Sequence, residues 1–277
     1  MRLAVTGAGG RLGRELLDVL PSHHDAIALG RDDLDVGDHD AVMRTIPALA
    51  PDAVLHLAAF TDVDGNEHDP DRAFRDNARG AHSVALAAAS CGAAIVHLST
   101  DYVFDGTKGT PYDESDVTSP VSVYGRAKAL GECLVREVAP QHVIVRSGFL
   151  FGSGTDHLST QVAKIRRGEH GVGIADRVGT PTYVRDLAER LVPLLLTRRW
   201  GTYHLAGPEA TTWLDVLMRC RVIADLPGSV EPQRAVDVGL VAPRPSFSAL
   251  TSVMVAGTTV PPFPPLDDAL ARFLERV

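Results

Sequence analysis

A doubly wound α/β fold, a parallel sheet with helices on both faces and a smaller C-terminal lobe, is predicted by three features of this 277-residue sequence. Short apolar runs recur at 2–6, 26–29, 53–59, 93–99 and 142–147, each nearly continuous rather than alternating, as expected of strands covered on both sides. Segments of helical periodicity separate them, which is the β-α rhythm of a parallel sheet. A glycine-rich turn joins the first run to the first helix. In such folds ligands sit beyond the carboxyl ends of the strands, so the site is sought there.

The first strand, "RLAVT", leads into "VTGAGGRLG", which spaces Gly7, Gly10 and Gly13 three residues apart. Glycine permits a tight turn, and the following helix (10–20) offers free N–H groups and a positive dipole end to a pyrophosphate. Arg11 and Leu12 lie inside this turn and count as cofactor contacts. The second strand is followed by "LGRDDLDVGD", where an acidic residue would take the adenosine ribose of NAD and an arginine the 2′-phosphate of NADP. Arg31 favours NADPH, while Asp32 and Asp33 leave NADH open. Asp35 and Val36 fall near the adenine, and a helix follows at 38–49.

The third strand, "AVLHLAA", ends in Ala58 and Ala59, with Thr61 beyond. Their small side chains let a ribose and pyrophosphate approach. A long helix at 69–91 carries Asn77, read as structural or as steadying the site's backbone. The fourth strand runs into "HLSTDYVFDGTKGTPYDESD" and so delivers Ser99, Thr100 and Tyr102 to the carboxyl edge. On the next helix (120–138), "SVYGRAKALGE" spaces Tyr124 and Lys128 four residues apart, on one face. His56 and His97, within strands, read as satisfied core histidines. After the fifth strand the rhythm changes. Residues 1–150 read as a dinucleotide-binding domain, and 151–277, with some segments returning to it, as a substrate-facing lobe that holds a helix near 184–197, a proline-rich stretch from 228 to 265 and a closing helix.

The formal net charge of −8 argues against a nucleic-acid backbone as partner. The chain has no apolar run long enough to cross a membrane and no secretion signal after Met1. Its three cysteines are scattered, so no disulfide framework or thiolate metal site is expected, and a cytoplasmic protein is.

The glycine turn, the hydroxyl residue after strand four and Tyr-x-x-x-Lys together resemble the extended short-chain dehydrogenase/reductases, a superfamily with a Rossmann-type fold. Within it, "TGAGGRLG", "LDVGD", "HLAAFTDVD", "STDYVFDGTKGTPYDESD", "SVYGRAKALGE", "GTPTYVRDLA" and "RPSFSAL" resemble, in order, the dTDP-4-dehydrorhamnose reductase family. The resemblance covers most of the chain. It implies NADPH-dependent reduction of the C4 ketone of a dTDP-linked 4-keto-6-deoxysugar. Tyr124 would donate the proton, and Lys128 would hold the nicotinamide ribose and lower the tyrosine pKa. Thr100 would orient the carbonyl. Val63, Tyr102, Phe104 and Phe149 would wall the sugar. Dehydratases of the superfamily resemble one another in an acidic pair after the threonine; here Tyr102 follows Asp101, which disfavours dehydration. The family's Arg-Thr-Ser-Trp after strand five is Arg146, Ser147, Gly148 and Phe149 here, so the sugar is left open. A reductase or epimerase of another nucleotide sugar, and a non-catalytic NADP-binding regulatory subunit, remain alternatives. A homodimer is compatible with the family, and no acidic cluster specifies a metal.

Overall fold

Six parallel strands form the central sheet, with helices packed against both faces. The structure is a computed structural model that describes residues 1–154 and 156–277. The strands are β1 (Arg2–Thr6), β2 (Asp25–Leu29), β3 (Ala53–His56), β4 (Ala94–Thr100), β5 (His142–Ser147) and, much later in the chain, β10 (Gly201–His204). Their order is β10-β5-β4-β3-β1-β2. It reverses between β1 and β3, and at such a switch point a crevice opens at the carboxyl ends.

Alternate strand residues explain the continuous apolar runs. Leu3, Val5, Leu55, Val96, Val143 and Val145 face one core, shared with Leu12 and Leu16 of α1 (Arg11–Val19) and Leu187 and Leu191 of α8 (Val184–Leu196). Ala4, Val54, Ile95 and Ile144 face a second core, under α2 (His39–Ala48), α5 (Gly80–Ser90) and α6 (Val123–Val138). Asp38 caps α2 by accepting from the Ala41 N–H, and Ser122 caps α6 by accepting from the Gly125 N–H.

Three local readings change. The ladder of β3 ends at His56 rather than running to residue 59, because the chain bends there toward the glycine turn; Leu57 N–H still donates to the Thr6 carbonyl at 3.2 Å. The long helix is α4 (Pro70–Phe74) and α5, joined by a π turn over Arg75–Arg79. Ahead of it lies a short helix not foreseen, α3 (Val63–His68).

Beyond β5, the pairs β6 (Leu150–Phe151) with β9 (Thr182–Tyr183), β7 (Gly171–Ile174) with β12 (Val230–Gln233), and β8 (Val178–Gly179) with β11 (Thr211–Thr212) join α7 (His157–Arg166), α9 (Trp213–Ile223) and α10 (Leu266–Leu274). Leu158, Val162, Leu217 and Phe273 from these helices share the first core, so this part is welded to one face of the sheet.

Candidate active site

The glycine turn meets the segment after β3 at close range. Gly7 has φ +69°, and a Cβ on it would lie 2.6 Å from the Ala58 nitrogen. A Cβ on Gly13 would lie 2.4 Å from the Gly7 carbonyl oxygen, so α1 rests on its own turn. Any side chain at either position would force the walls apart. Gly10, the N-cap of α1, makes no side-chain capping bond, and the first turn has no acidic residue. The uncapped N–H groups therefore stand at the wall of a cavity of about 390 Å³. Gly7, Gly10, Arg11, Leu12, Gly13, Arg31, Asp35, Val36, Ala58, Ala59 and Thr61 all line it.

Around Arg31, Asp33 turns back to accept from the Gly30 N–H at 2.8 Å. Asp35 accepts from the Gly37 N–H at 2.9 Å and pairs with Arg75 at 3.3 Å. These two carboxylates are thus held by other donors, while Arg31 is exposed at the cavity wall and forms no ion pair among the described residues.

A second cavity, about 230 Å³, adjoins the first through shared walls at Arg11, Leu57, Ala59, Thr61, Leu98 and Leu150. Thr100, Tyr124 and Lys128 line it, with Val63, Tyr102, Phe149 and Trp213. Their meeting depends on α6 lying close to the chain after β4. A Cβ on Gly125 would stand 2.2 Å from the Tyr102 carbonyl oxygen, and one on Gly131 2.4 Å from the Asn77 carbonyl oxygen. The two tyrosine rings, Tyr102 and Tyr124, meet edge to face at 6.1 Å.

Lys128 is buried, and its Nζ donates to the Leu98 carbonyl at 2.6 Å. Burial pulls its pKa down to about 8, against the opposing effect of Glu132 one turn on. Glu132 is itself held: it accepts from Ser99 Oγ at 2.5 Å, from Arg146 at 2.9 and 2.7 Å, and from Arg136 at 2.6 Å. The Tyr124 phenol is held above its ordinary value. Burial pushes the phenol pKa upward, and the Thr100 hydroxyl opposes this.

At the far wall, Phe149 has φ +47°, a strained conformation for a bulky residue. It is clamped from two sides. Its ring stacks on Trp213 with centroids 4.8 Å apart and planes 5° apart, and it lies over Gly179, where a Cβ would come within 2.4 Å of the ring. Trp213 escaped sequence reasoning because it arrives from α9, more than sixty residues after Phe149, with no motif linking them. Phe104 does not join this wall. It is fully buried, stacked at 4.2 Å on Tyr112 in a separate small core, and it lines neither cavity. Its loop turns the aromatic ring inward, which a sequence pattern cannot distinguish from outward.

Asn77, on the π turn, accepts from the Phe60 N–H at 2.8 Å and donates to the Phe60 carbonyl at 3.0 Å, fixing a cavity-lining loop. His56 and His97 face each other across β3 and β4, rings stacked at 5.2 Å. They are core residues, as expected, but only one of their four ring nitrogens is satisfied among the described residues: His56 Nδ1, 2.7 Å from Thr6 Oγ1. Burial, and the nearby Lys128 charge, hold His56 down to about 3 and His97 well below its usual value.

Comparisons with known proteins agree with this geometry. A family model described as the RmlD substrate binding domain matches residues 1–277. The chain is 37% identical to a dTDP-4-dehydrorhamnose reductase of Streptomyces griseus, over 90% of this chain and 85% of that one. It is 33% identical to the dTDP-4-dehydrorhamnose reductase of Aggregatibacter actinomycetemcomitans, over 90% of both. A crystal structure of dTDP-4-dehydrorhamnose reductase from Bacillus anthracis in complex with NADP superposes with a TM-score of 0.95 at 32% identity, covering 100% of this chain and 99% of that one. With the Rossmann-type sheet, the glycine turn and the Thr-Tyr-Lys cluster in one cleft, the chain belongs to the dTDP-4-dehydrorhamnose reductase family.

Proposed function

We propose that the protein reduces the C4 ketone of a dTDP-linked 4-keto-6-deoxysugar with NADPH. The observation that carries this reading is the meeting of Thr100, Tyr124 and Lys128 on one cavity that opens into the cavity of the glycine turn. The relatives named above act, by their names, on such a sugar, and one of them was crystallised with NADP.

The residues present fit that cofactor. Gly7 and Gly13 leave a cradle that any Cβ would fill, and the uncapped start of α1 offers donors to its pyrophosphate. Arg31 is the cation for a 2′-phosphate, since Asp33 and Asp35 are engaged elsewhere. When bound, NADPH supplies the hydride for the sugar C4. Reduction makes the ketone oxygen negative, and the residues act on that oxygen. Thr100 donates a hydrogen bond to it, and Tyr124 gives it a proton. A phenol pushed up by burial stays protonated at neutral pH, so the donor is loaded before each turnover. Lys128, pinned beneath by Leu98, keeps a positive charge beside the nicotinamide ribose. Phe149 and Trp213, with Val63 and Tyr102, form the sugar wall. The three free cysteines, Cys91, Cys133 and Cys220, fit a reducing cytoplasm.

Isotope transfer tests this reading. With NADPH deuterated on the transferred position and a dTDP-4-keto-6-deoxysugar, the product should carry deuterium at C4, one per NADPH consumed. An epimerase would leave the nicotinamide balance unchanged, and a regulatory subunit would bind NADPH without turnover; either outcome refutes the proposal.

A further inference from the structure

The carboxyl edge of β4 holds one more ionisable group, Asp101, which the mechanism above does not use. It is 2% exposed, and no cation forms an ion pair with it among the described residues. Its partners are hydroxyls. Thr100 Oγ1 donates to one oxygen at 3.0 Å, and Ser248 Oγ donates to the other. The turn that carries Phe149 presses on it from above, for a Cβ on Gly148 would lie 2.4 Å from the Asp101 Cγ. Burial pushes the carboxyl pKa up to about 6.

Thr100 has a single hydroxyl hydrogen. Donated to an ionised Asp101, it is not available to a ketone oxygen. The Thr100 oxygen meanwhile accepts from the Tyr102 N–H at 3.2 Å. An ionised Asp101 also raises the Tyr124 phenol and would repel the negative oxygen formed on reduction. A protonated Asp101 reverses these effects: the carboxyl hydrogen is donated to a hydroxyl oxygen, and the Thr100 hydrogen is free to turn into the cavity.

We propose that Asp101 is a positioning residue: its neutral carboxyl releases the Thr100 hydroxyl to the sugar ketone, and its ionised form withholds that hydroxyl. The inference rests on the reductase reading above. The groups facing Asp101 are the Tyr102 phenol on its own segment, Tyr124 from α6 and Ser248 from the C-terminal segment. Arg11 acts on Tyr124, and Arg177 and Arg244 act on Tyr102. Ser248 also explains what "RPSFSAL" does in the fold. Its N–H donates to the Val178 carbonyl at 2.8 Å, which anchors the segment while the hydroxyl reaches the site.

The test is the pH profile of kcat from about pH 5 to about pH 8, for the wild type, Asp101→Asn and Ser248→Ala. Wild-type kcat should fall about tenfold per pH unit above the Asp101 midpoint, as for one ionisation to an inactive form. Asp101→Asn, an uncharged group with both donor and acceptor, should hold kcat flat across that window with the KM for NADPH unchanged. Ser248→Ala removes a hydroxyl that favours the ionised form, so the midpoint should move up. If the wild type turns over and Asp101→Asn keeps the same profile, or binds NADPH normally yet loses kcat at every pH, this inference alone is overturned. If the wild type shows no turnover, the reductase reading fails and the inference fails with it.

Discussion

Asp101, with no ion-pair partner among the described residues, also links its own ionisation to folding. Its folded pKa, about 6, lies above the 3.8 of an ordinary aspartate, so the folded chain holds the proton more tightly than the unfolded one. Stability from this group is full below pH 3.8 and declines as pH rises to about 6, a loss of about 3 kcal/mol. Asp101→Asn should therefore raise the urea midpoint at pH 7 and change it little near pH 4; equal changes at both would contradict the linkage. Gly179→Ala places a methyl 2.4 Å from the clamped Phe149 ring, so it should raise the KM of the sugar severalfold and leave NADPH affinity intact. Arg31→Ala should weaken NADPH about 10- to 100-fold, the worth of a charged hydrogen bond, without weakening NADH. The candidate residues on both sides of the cofactor cavity were legible because glycines, small residues and an arginine each have a distinct physical use there. Trp213 and Asp101 were not, since a stacking partner from a distant helix and a hydroxyl-bound carboxyl leave no mark in local spacing.

The helix α6 shows what an element adds to its residues. The four-residue step from Tyr124 to Lys128 continues to Glu132, and the three define one face. The sequence carries that stripe openly. It does not say that Glu132 ties α6 to β4 through Ser99 and to β5 through Arg146, because those partners are brought in by the sheet. It also hides the role of Gly125, whose missing side chain lets α6 touch the Tyr102 backbone. Gly125→Ala should push the helix outward at a cost of about 1–3 kcal/mol. Turnover should then drop about a hundredfold, the penalty for a displacement near 1 Å, with NADPH affinity less affected. Steady-state kinetics beside a binding titration separates the two, and an unchanged kcat would show that the close contact is not needed. The helix expected at 69–91 has the right extent but is not continuous: the π turn that aims Asn77 at Phe60 inserts no residue type that periodicity detects.

Five strands of the sheet announce themselves as apolar runs, and the β-α alternation fixes their parallel sense. The sixth, β10, is four residues long with two polar side chains and comes far after the other five, so only topology reveals it. Strand order, and hence the crevice between β1 and β3, likewise comes from packing rather than pattern. The stacked pair His56 and His97 at the sheet's centre gives the fold a pH response. Their pKa values are depressed, so each keeps the folded chain neutral where the unfolded chain takes a proton, and stability is lost as pH falls below 6.5. Asp101 acts in the opposite sense between 3.8 and about 6. Two depressed histidines against one raised carboxyl leave these three groups a net loss of stability on acidification through that range, to be read from urea midpoints; a flat profile would contradict the neutral core pair.

The claim that joins cleft to chemistry is that Tyr124 protonates a sugar oxygen as hydride arrives. The direct measurement is oxidation of NADPH by wild type and by Tyr124→Phe with a dTDP-4-keto-6-deoxysugar, beside NADPH binding to each. Wild type should consume NADPH in step with product, and the phenylalanine variant should lose about 10²- to 10⁴-fold in kcat while binding NADPH as before. Tight NADPH binding with no oxidation by any such sugar, or a Tyr124→Phe variant as fast as wild type, would contradict the account.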